Sequence, residues 1–144
     1  SQSDEALAAA VLGQAVIDLG KNKTVGYVNV LGIAPLDRRH VVWEKTKKAQ
    51  KWTQKFFVGK FTNSVATDNA QLADAALKAN PKVAGIFAPY DELAKGVLSA
   101  VYQNKLQKLN FFHLQQLLER PHYCLYLHSL ALKPMLASCF LHLY

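Results

Sequence analysis

Two cysteines and two histidines near the C-terminus are residue types that can bind a metal ion. Cys124, His128, Cys139 and His142 are of the types that tetrahedral zinc prefers. Their spacing is C-x3-H followed by C-x2-H in a Leu-rich background, which matches no common zinc finger. We therefore predict no metal site and no cofactor.

A second set of polar and aromatic residues suits binding. Arg39 could donate two hydrogen bonds to neighbouring hydroxyls, or it could pair with Asp37 or Glu44. Tyr90 offers an aromatic face with a polar rim, although it could equally cover the edge of a sheet. Asp91 could contact a ligand or cap a helix.

Motifs typical of enzymes are absent from the sequence. It contains no G-x-S-x-G elbow, no Gly-rich phosphate loop and no pair of carboxylates placed to flank a cleft. Asp91 and Glu92 are adjacent, but both fall in the first turn of a predicted helix. We therefore predict that the chain is not an enzyme.

The composition suits one globular domain. The chain has 144 residues, of which 51% are hydrophobic, and a formal net charge of +7. This charge attracts anionic surfaces without specifying nucleic acid, and the lysines within residues 45–51 fit a solvated helix face. No charge-free stretch reaches the roughly 18 apolar residues that a membrane span needs. The N-terminal residues SQSDEALAAA are acidic where an export signal is basic.

The composition changes abruptly near Lys105. All seven glycines and nine of the ten acidic residues precede this point. Residues 106–144 hold 12 leucines, four of the five histidines and both cysteines. We therefore divide the chain into residues 1–105 and a Leu/His-rich tail, 106–144.

Hydrophobic periodicity before Lys105 alternates between helical and extended segments. Helices are predicted at 4–19, 37–51, 68–79 and from Asp91 onward, and strands at 24–30, 55–61 and 83–88. Short strands that alternate with longer helices favour parallel pairing through right-handed crossovers. The predicted fold class is α/β: a three-layer parallel sheet, helix first and then three βα units.

Three segments carry a resemblance to a known family. They are SDEALA, GYVNVLGIA followed by Arg39 and Trp43 four positions apart, and KANPKVAGIFAPYDELAKG. With them, roughly residues 2–105 resemble the second lobe of periplasmic sugar-binding proteins of bacterial ABC importers, of the ribose-binding type. The ligand domains of sugar-responsive repressors are related to these proteins.

The resemblance implies a type I solute-binding fold and a set of ligand-binding positions. In that fold Ser3 lies at the hinge, Ile33 lines the pocket and Arg39 donates to sugar oxygens. Asn63 or Ser64 falls where the family often stacks an aromatic ring. Tyr90 replaces an Asn that contacts the sugar in many relatives, and Asp91 is the adjacent acid. All lie where strands end at their carboxyl side, the edge at which open α/β sheets bind ligands.

The tail departs from the family pattern. The resemblance predicts another hydrophobic strand after Lys105, ending in an Asp that binds the ligand, and no such pattern is evident in FFHLQQLLERPHYC. The first lobe is not in this chain either. We therefore interpret residues 1–105 as a partial sugar-binding lobe and residues 106–144 as an out-of-frame or unrelated tail.

The resemblance implies binding of a small sugar and its delivery to an ABC permease in the periplasm. An alternative is the effector-binding domain of a sugar-responsive repressor. A third interpretation is an incomplete chain without function of its own. We expect no nucleic acid partner, and we expect self-association through an exposed sheet edge.

Overall fold

A computed structural model describes residues 3–104 and 110–113. The described elements are α1 (Asp4–Leu19), β1 (Thr24–Val28), α2 (Ala34–Gln50), β2 (Thr53–Val58), α3 (Val65–Ala79), β3 (Gly85–Ala88), α4 (Asp91–Gln103) and β4 (Asn110–His113). The predicted order of one helix and three βα units is confirmed. Within the described ranges, no helix has both the length and the apolar character needed to cross a membrane.

The strands form one parallel sheet in the order β2-β1-β3-β4. β1 lies between β2 and β3, and both β1 and β3 are buried on their two faces. This confirms the predicted parallel pairing of the first three strands. It also brings the carboxyl ends of these strands to one edge of the sheet.

Two helix layers cover the sheet, and they differ in composition. The face covered by α1 and α2 is packed with rings from Tyr27, Trp43, Trp52 and Phe87, and we call it the aromatic face. The face covered by α3 and α4 is packed mainly by Ala, Val and Leu side chains, and we call it the small-residue face. Side chains alternate along β3, so Phe87 points to the aromatic face and Ile86 to the small-residue face.

A bulge in β2 sets which of its side chains face each layer. The register with β1 shifts so that Lys55 is skipped between Gln54 and Phe56. Phe57 therefore stacks on Tyr27 at the aromatic face, whereas Phe56 packs against the small-residue face. β2 is an edge strand, and a bulge beside an exposed Lys disfavours the addition of another strand. Self-association through a sheet edge stays a prediction.

Several predicted boundaries were wrong. The end of β1 and the starts of β2 and β3 each differ from the prediction by two residues, and three further boundaries differ near the loops at the edge of the sheet. β2 ends at Val58 rather than at residue 61, because Gly59 (φ 156°) passes so close to the backbone of Asn29 that a side chain would collide with it. α2 begins at Ala34 rather than at residue 37, since Pro35 suits the first helical turn. α3 begins at Val65 rather than at residue 68.

The fourth strand was not predicted. β4 pairs in parallel with β3, so the sheet continues beyond Lys105, where the composition changes. The expectation that no strand follows Lys105 was therefore wrong. Four residues are too short a segment for hydrophobic alternation to reveal a strand in a Leu-rich background. β4 ends at His113, whereas the resemblance predicts a strand that ends in an Asp.

Candidate ligand-binding site

The candidate site lies at the carboxyl edge of the sheet. Three loops leave the sheet there, at residues 29–33 after β1, 59–64 after β2 and 89–90 after β3. Each leads directly into a helix, so backbone N–H groups of three helix starts lie along the same edge. Open α/β sheets bind ligands at this edge for that reason.

Asn69 of α3 holds the loop after β2 in place. Its side chain is fully buried, and its Oδ1 accepts a hydrogen bond from the Lys60 backbone N at 3.0 Å. Its Nδ2 donates to the carbonyl oxygens of Lys60 and Val65 at 2.8 and 2.7 Å. In the same loop, the Thr62 hydroxyl donates to Asp68. These hydrogen bonds anchor the backbone of the loop to α3.

An aromatic pair spans the candidate site. Phe61 of the β2 loop is 57% exposed, and its ring stacks against Tyr90 with centroids 6.3 Å apart and planes inclined by 29°. The two rings follow strands on either side of β1, so they meet across the end of that strand. Leu31, which follows β1, is 49% exposed. This edge therefore offers an apolar surface to solvent.

Phe61 was missed in the sequence because residues 55–61 were assigned to a strand. Gly59 is the signal that could have placed Phe61 in a loop. Asn63 and Ser64, the residues predicted for this loop, are both exposed, and Ser64 is the N-cap of α3. The aromatic ring in this loop belongs to Phe61, which lies two positions before Asn63 and three before Ser64. Ligand contact by Asn63 or Ser64 stays a prediction.

Arg39 lies beside the aromatic pair but forms internal hydrogen bonds. Its Nε and Nη2 donate to Oδ1 of Asp4 at 3.1 and 2.8 Å, and its Nη1 donates to the Pro89 carbonyl at 2.6 Å. Pro89 immediately precedes Tyr90, so Arg39 and Tyr90 belong to the same edge of the sheet. The alternative pairing of Arg39 with Asp37 or Glu44 was wrong, because the acid that it contacts is Asp4.

The electrostatics of this contact are visible in the pKa of Asp4. Burial raises the pKa of this carboxyl, but hydrogen bonds and charge from Arg38 and Arg39 outweigh burial, and the net pKa lies below its ordinary value. The ionised carboxylate is therefore the form that the folded chain favours.

The other predicted site residues have identifiable local roles. Ser3 is the N-cap of α1, with its hydroxyl accepting a hydrogen bond from the Ala6 backbone N at 3.2 Å. Ile33 is the half-buried N-cap of α2. Tyr90 is the N-cap of α4, so the assignment of that cap to Asp91 was wrong: Asp91 is the first helical residue. Ligand contact by these residues stays a prediction.

A hydrogen-bonded network of three polar side chains lies on the aromatic face, next to the carboxyl end of β1. Asn29 Nδ2 donates to the Tyr27 hydroxyl at 2.7 Å, and that hydroxyl lies 3.2 Å from Nδ1 of His40. Burial raises the pKa of Tyr27 well above its ordinary value, so the phenol remains protonated. Asn29 Oδ1 is buried without a hydrogen-bond partner among the described residues. This network connects the end of β1 to α2 through hydrogen bonds.

A metal site is not evident in the described part of the chain. No group of three or more His, Cys, Asp or Glu residues within 3–104 and 110–113 could hold an ion. Cys124, His128, Cys139 and His142 lie outside the described residues. The prediction of no zinc at those four positions therefore stays a prediction.

Solved structures similar to this chain are sugar-related binding proteins. The 5-methylthioribose transporter solute binding protein of Thermotoga lettingae, in complex with 5-methylthioribose, shares 31% identity and superposes with a TM-score of 0.74 over 78% of this chain and 36% of that one. A sugar ABC transporter protein of Yersinia enterocolitica shares 23% identity, with a TM-score of 0.73 over 78% of this chain and 34% of that one.

A third similar structure is a LacI-family transcriptional regulatory protein of Corynebacterium glutamicum, with 25% identity and a TM-score of 0.60 over 76% of this chain and 44% of that one. These three neighbours are binding proteins and a regulator, not enzymes. No protein-family model and no curated protein sequence matches the chain.

The chain spans between about a third and just under half of the length of these solved proteins. Its α/β fold is that of one lobe of a type I periplasmic binding protein. The predicted resemblance to part of a sugar-binding protein of ABC importers is confirmed.

Proposed function

We propose that this chain, which resembles a lobe of the sugar-binding proteins of ABC importers, supplies half of a binding site for a small sugar. The observation that carries the proposal is the stacking of exposed Phe61 on half-buried Tyr90, with the Arg39 guanidinium bonded to the adjacent Pro89 carbonyl, at the carboxyl edge of a parallel sheet. No chemical step is involved. The ligand is held and released.

The chemistry of this edge matches a sugar. A sugar ring has apolar C–H faces and a rim of hydroxyl groups. Aromatic rings such as Phe61 and Tyr90 can cover an apolar face, and the Tyr90 hydroxyl adds a polar rim. A guanidinium has five N–H donors, of which the internal bonds of Arg39 use three. We propose that its two remaining N–H groups donate to ligand hydroxyls.

The complete protein would close a second lobe over this edge. One lobe alone leaves a ligand half solvated, whereas tight ligand sites cover most of the ligand surface. Hinge closure around the ligand is a known form of domain motion. We propose that the complete protein works in the periplasm and hands its sugar to an ABC permease, with Ser3 at the hinge, Ile33 in the pocket, and Asn63, Ser64 and Asp91 at its rim.

The aromatic pair and Leu31 favour a sugar that carries an apolar substituent. Exposed apolar surface at a binding edge is covered best by a ligand with a matching apolar part. We therefore expect 5-methylthioribose to bind this chain more tightly than D-ribose, which lacks the methylthio group. Deoxyhexoses should bind more tightly than the corresponding hexoses for the same reason.

The proposal is tested by titrating the 144-residue chain with 5-methylthioribose, D-ribose, D-glucose and a deoxyhexose up to millimolar concentrations. NMR chemical shifts measure the binding. Phe61→Ala or Tyr90→Ala should each weaken 5-methylthioribose binding by about 2- to 10-fold, the value of one ring contact. Tyr102→Ala is the matched control, because this exposed ring lies near the far end of α4. Equal weakening by all three substitutions, or no binding of any sugar, would contradict the proposal.

The likeness to a LacI-family regulator supports a second candidate, the effector domain of a sugar-responsive repressor. Its ligand edge would be the same, so sugar titration does not separate the two functions. The complete reading frame does: a signal peptide ahead of the first lobe supports transport, and a helix-turn-helix supports regulation.

A further inference from the structure

The carboxylate of Asp4 lies between two arginine side chains. Nε and Nη2 of Arg38 donate to its Oδ2 at 2.9 and 2.6 Å, while Nε and Nη2 of Arg39 donate to its Oδ1 at 3.1 and 2.8 Å. Four N–H groups thus converge on one carboxylate. The two arginines differ in exposure, because the side chain of Arg38 is 47% exposed and that of Arg39 only 18%.

Arg39 links this ion pair to the ligand edge. Its Nη1 donates to the carbonyl of Pro89, the residue between β3 and Tyr90. Asp4 is the first residue of α1, directly after Ser3. A continuous set of hydrogen bonds therefore runs from the start of α1, through Arg39 of α2, to the backbone that carries the Tyr90 ring.

We infer that Asp4 is a positioning residue that holds the Arg39 guanidinium and the Pro89–Tyr90 backbone in their ligand-binding arrangement. The inference rests on the proposed sugar-binding function. Holding a long side chain in place before the ligand arrives removes the entropic cost of ordering it on binding. Asp4 itself has both carboxylate oxygens occupied by the arginines, so it acts through Arg39 rather than by touching the ligand.

The inference predicts that Asp4→Asn weakens binding through Arg39. An amide cannot accept all four hydrogen bonds and places N–H groups against a guanidinium. We expect 5-methylthioribose affinity to fall about tenfold, which corresponds to about 1.4 kcal/mol. Asp74→Asn is the matched control. Asp74 likewise forms an ion pair, with Lys78, and it accepts a hydrogen bond from Asn104, but it lies on α3, so its substitution should change affinity less than twofold.

A double-mutant cycle separates positioning from a general effect on folding. Arg39→Lys keeps the positive charge but loses the planar fork, and with it the two-bond contact through which Asp4 orients residue 39 toward Pro89. In that background, Asp4→Asn should change 5-methylthioribose affinity less than twofold. The same tenfold loss in both backgrounds, or no loss in the wild-type background, would overturn the inference.

A ligand-free measurement keeps this test independent of the proposed function. NMR can measure the rate at which the Arg39 Nε–H exchanges with solvent. This exchange should be slow in the wild type and at least tenfold faster in Asp4→Asn. The Tyr90 backbone amide signal should also shift in Asp4→Asn. Asp74→Asn should leave both signals unchanged. If no sugar binds, the proposed function fails, and these signals still decide the role of Asp4: unchanged exchange and an unshifted Tyr90 amide would refute it.

Discussion

The two faces of the sheet are packed in different ways. On the aromatic face, the Tyr27 ring stacks between neighbours, with centroids 4.6 Å from Trp43 and 5.9 Å from Phe87. On the small-residue face, Gly96 brings α4 so close to α3 that a Cβ would come within 2.6 Å of the Ala66 carbonyl oxygen. One face is filled by large rings, and the other by the close approach of two helix backbones.

This difference matters for the candidate site because each face supplies a different part of it. The aromatic face contributes Arg39 and the acid that holds it. The small-residue face anchors the loop of Phe61 through Asn69 of α3. Polar and apolar groups meet at the edge because the loops from both layers start there. Substitutions in the aromatic face should therefore disturb Arg39, whereas substitutions in the small-residue face should disturb the loop of Phe61.

The largest expected effect is on the aromatic face. Trp43 is 1% exposed and its Nε1 donates to Gln54 at 2.9 Å, so Trp43→Ala removes a buried ring and a partly buried hydrogen bond. We expect the free energy of unfolding to fall by about 3–5 kcal/mol in denaturant titrations. Tyr102→Ala, which removes an exposed ring, should change it by no more than about 0.5 kcal/mol. A similar loss for both would show that ring packing does not distinguish this face.

A glycine pair tests the small-residue face. Gly96→Ala places a methyl group against the backbone of α3, so the helices must separate, and we expect a loss of about 1–3 kcal/mol. Gly13→Ala is the matched control in α1, where a Cβ meets no atom within 4 Å; it should stabilise the chain by about 0.5–1 kcal/mol. Thermal unfolding measures both. Stabilisation by Gly96→Ala would mean that the close approach of α3 and α4 is not needed.

The smallest effect is the pH dependence of the Asp4 pair. The folded-state pKa of Asp4 lies below its ordinary 3.8, so its stabilisation is present above about pH 4 and is lost as the pH falls through the lower, folded-state pKa. The unfolding free energy of the wild type should exceed that of Asp4→Asn by no more than about 1 kcal/mol at pH 6, because the pair lies near the surface. The difference should shrink as the pH falls below 4. A difference that stays constant down to pH 2.5 would argue against the ion pair.

Most of the fold could be predicted from local sequence patterns. α1 spans Asp4–Leu19, as the predicted helix 4–19 does, with Ser3 as its N-cap and Gly20 (φ 55°) as its C-cap. The errors fall where a local pattern is ambiguous: the helix was predicted to begin at residue 37, although Pro35 already lies inside the first turn of α2.

The candidate site was harder to predict, because its contacts join residues far apart in the chain. The pair of Phe61 and Tyr90 depends on two loops meeting across β1. The partner of Arg39 lies 35 positions away, and nearby Asp37 instead accepts a hydrogen bond from the Gly32 backbone N. No periodicity marks such pairs, since they are set by strand order and helix placement.

The sequence by itself determined the alternation of helices and strands, the parallel sheet and the edge at which a ligand would be met. Those features follow from hydrophobic spacing and turn residues, which act within a few positions. Only the tertiary structure decided that Asp4 pairs with Arg39, that Phe61 faces Tyr90 and that β4 joins the sheet. These outcomes depend on which segments become neighbours after the chain has packed both faces of the sheet.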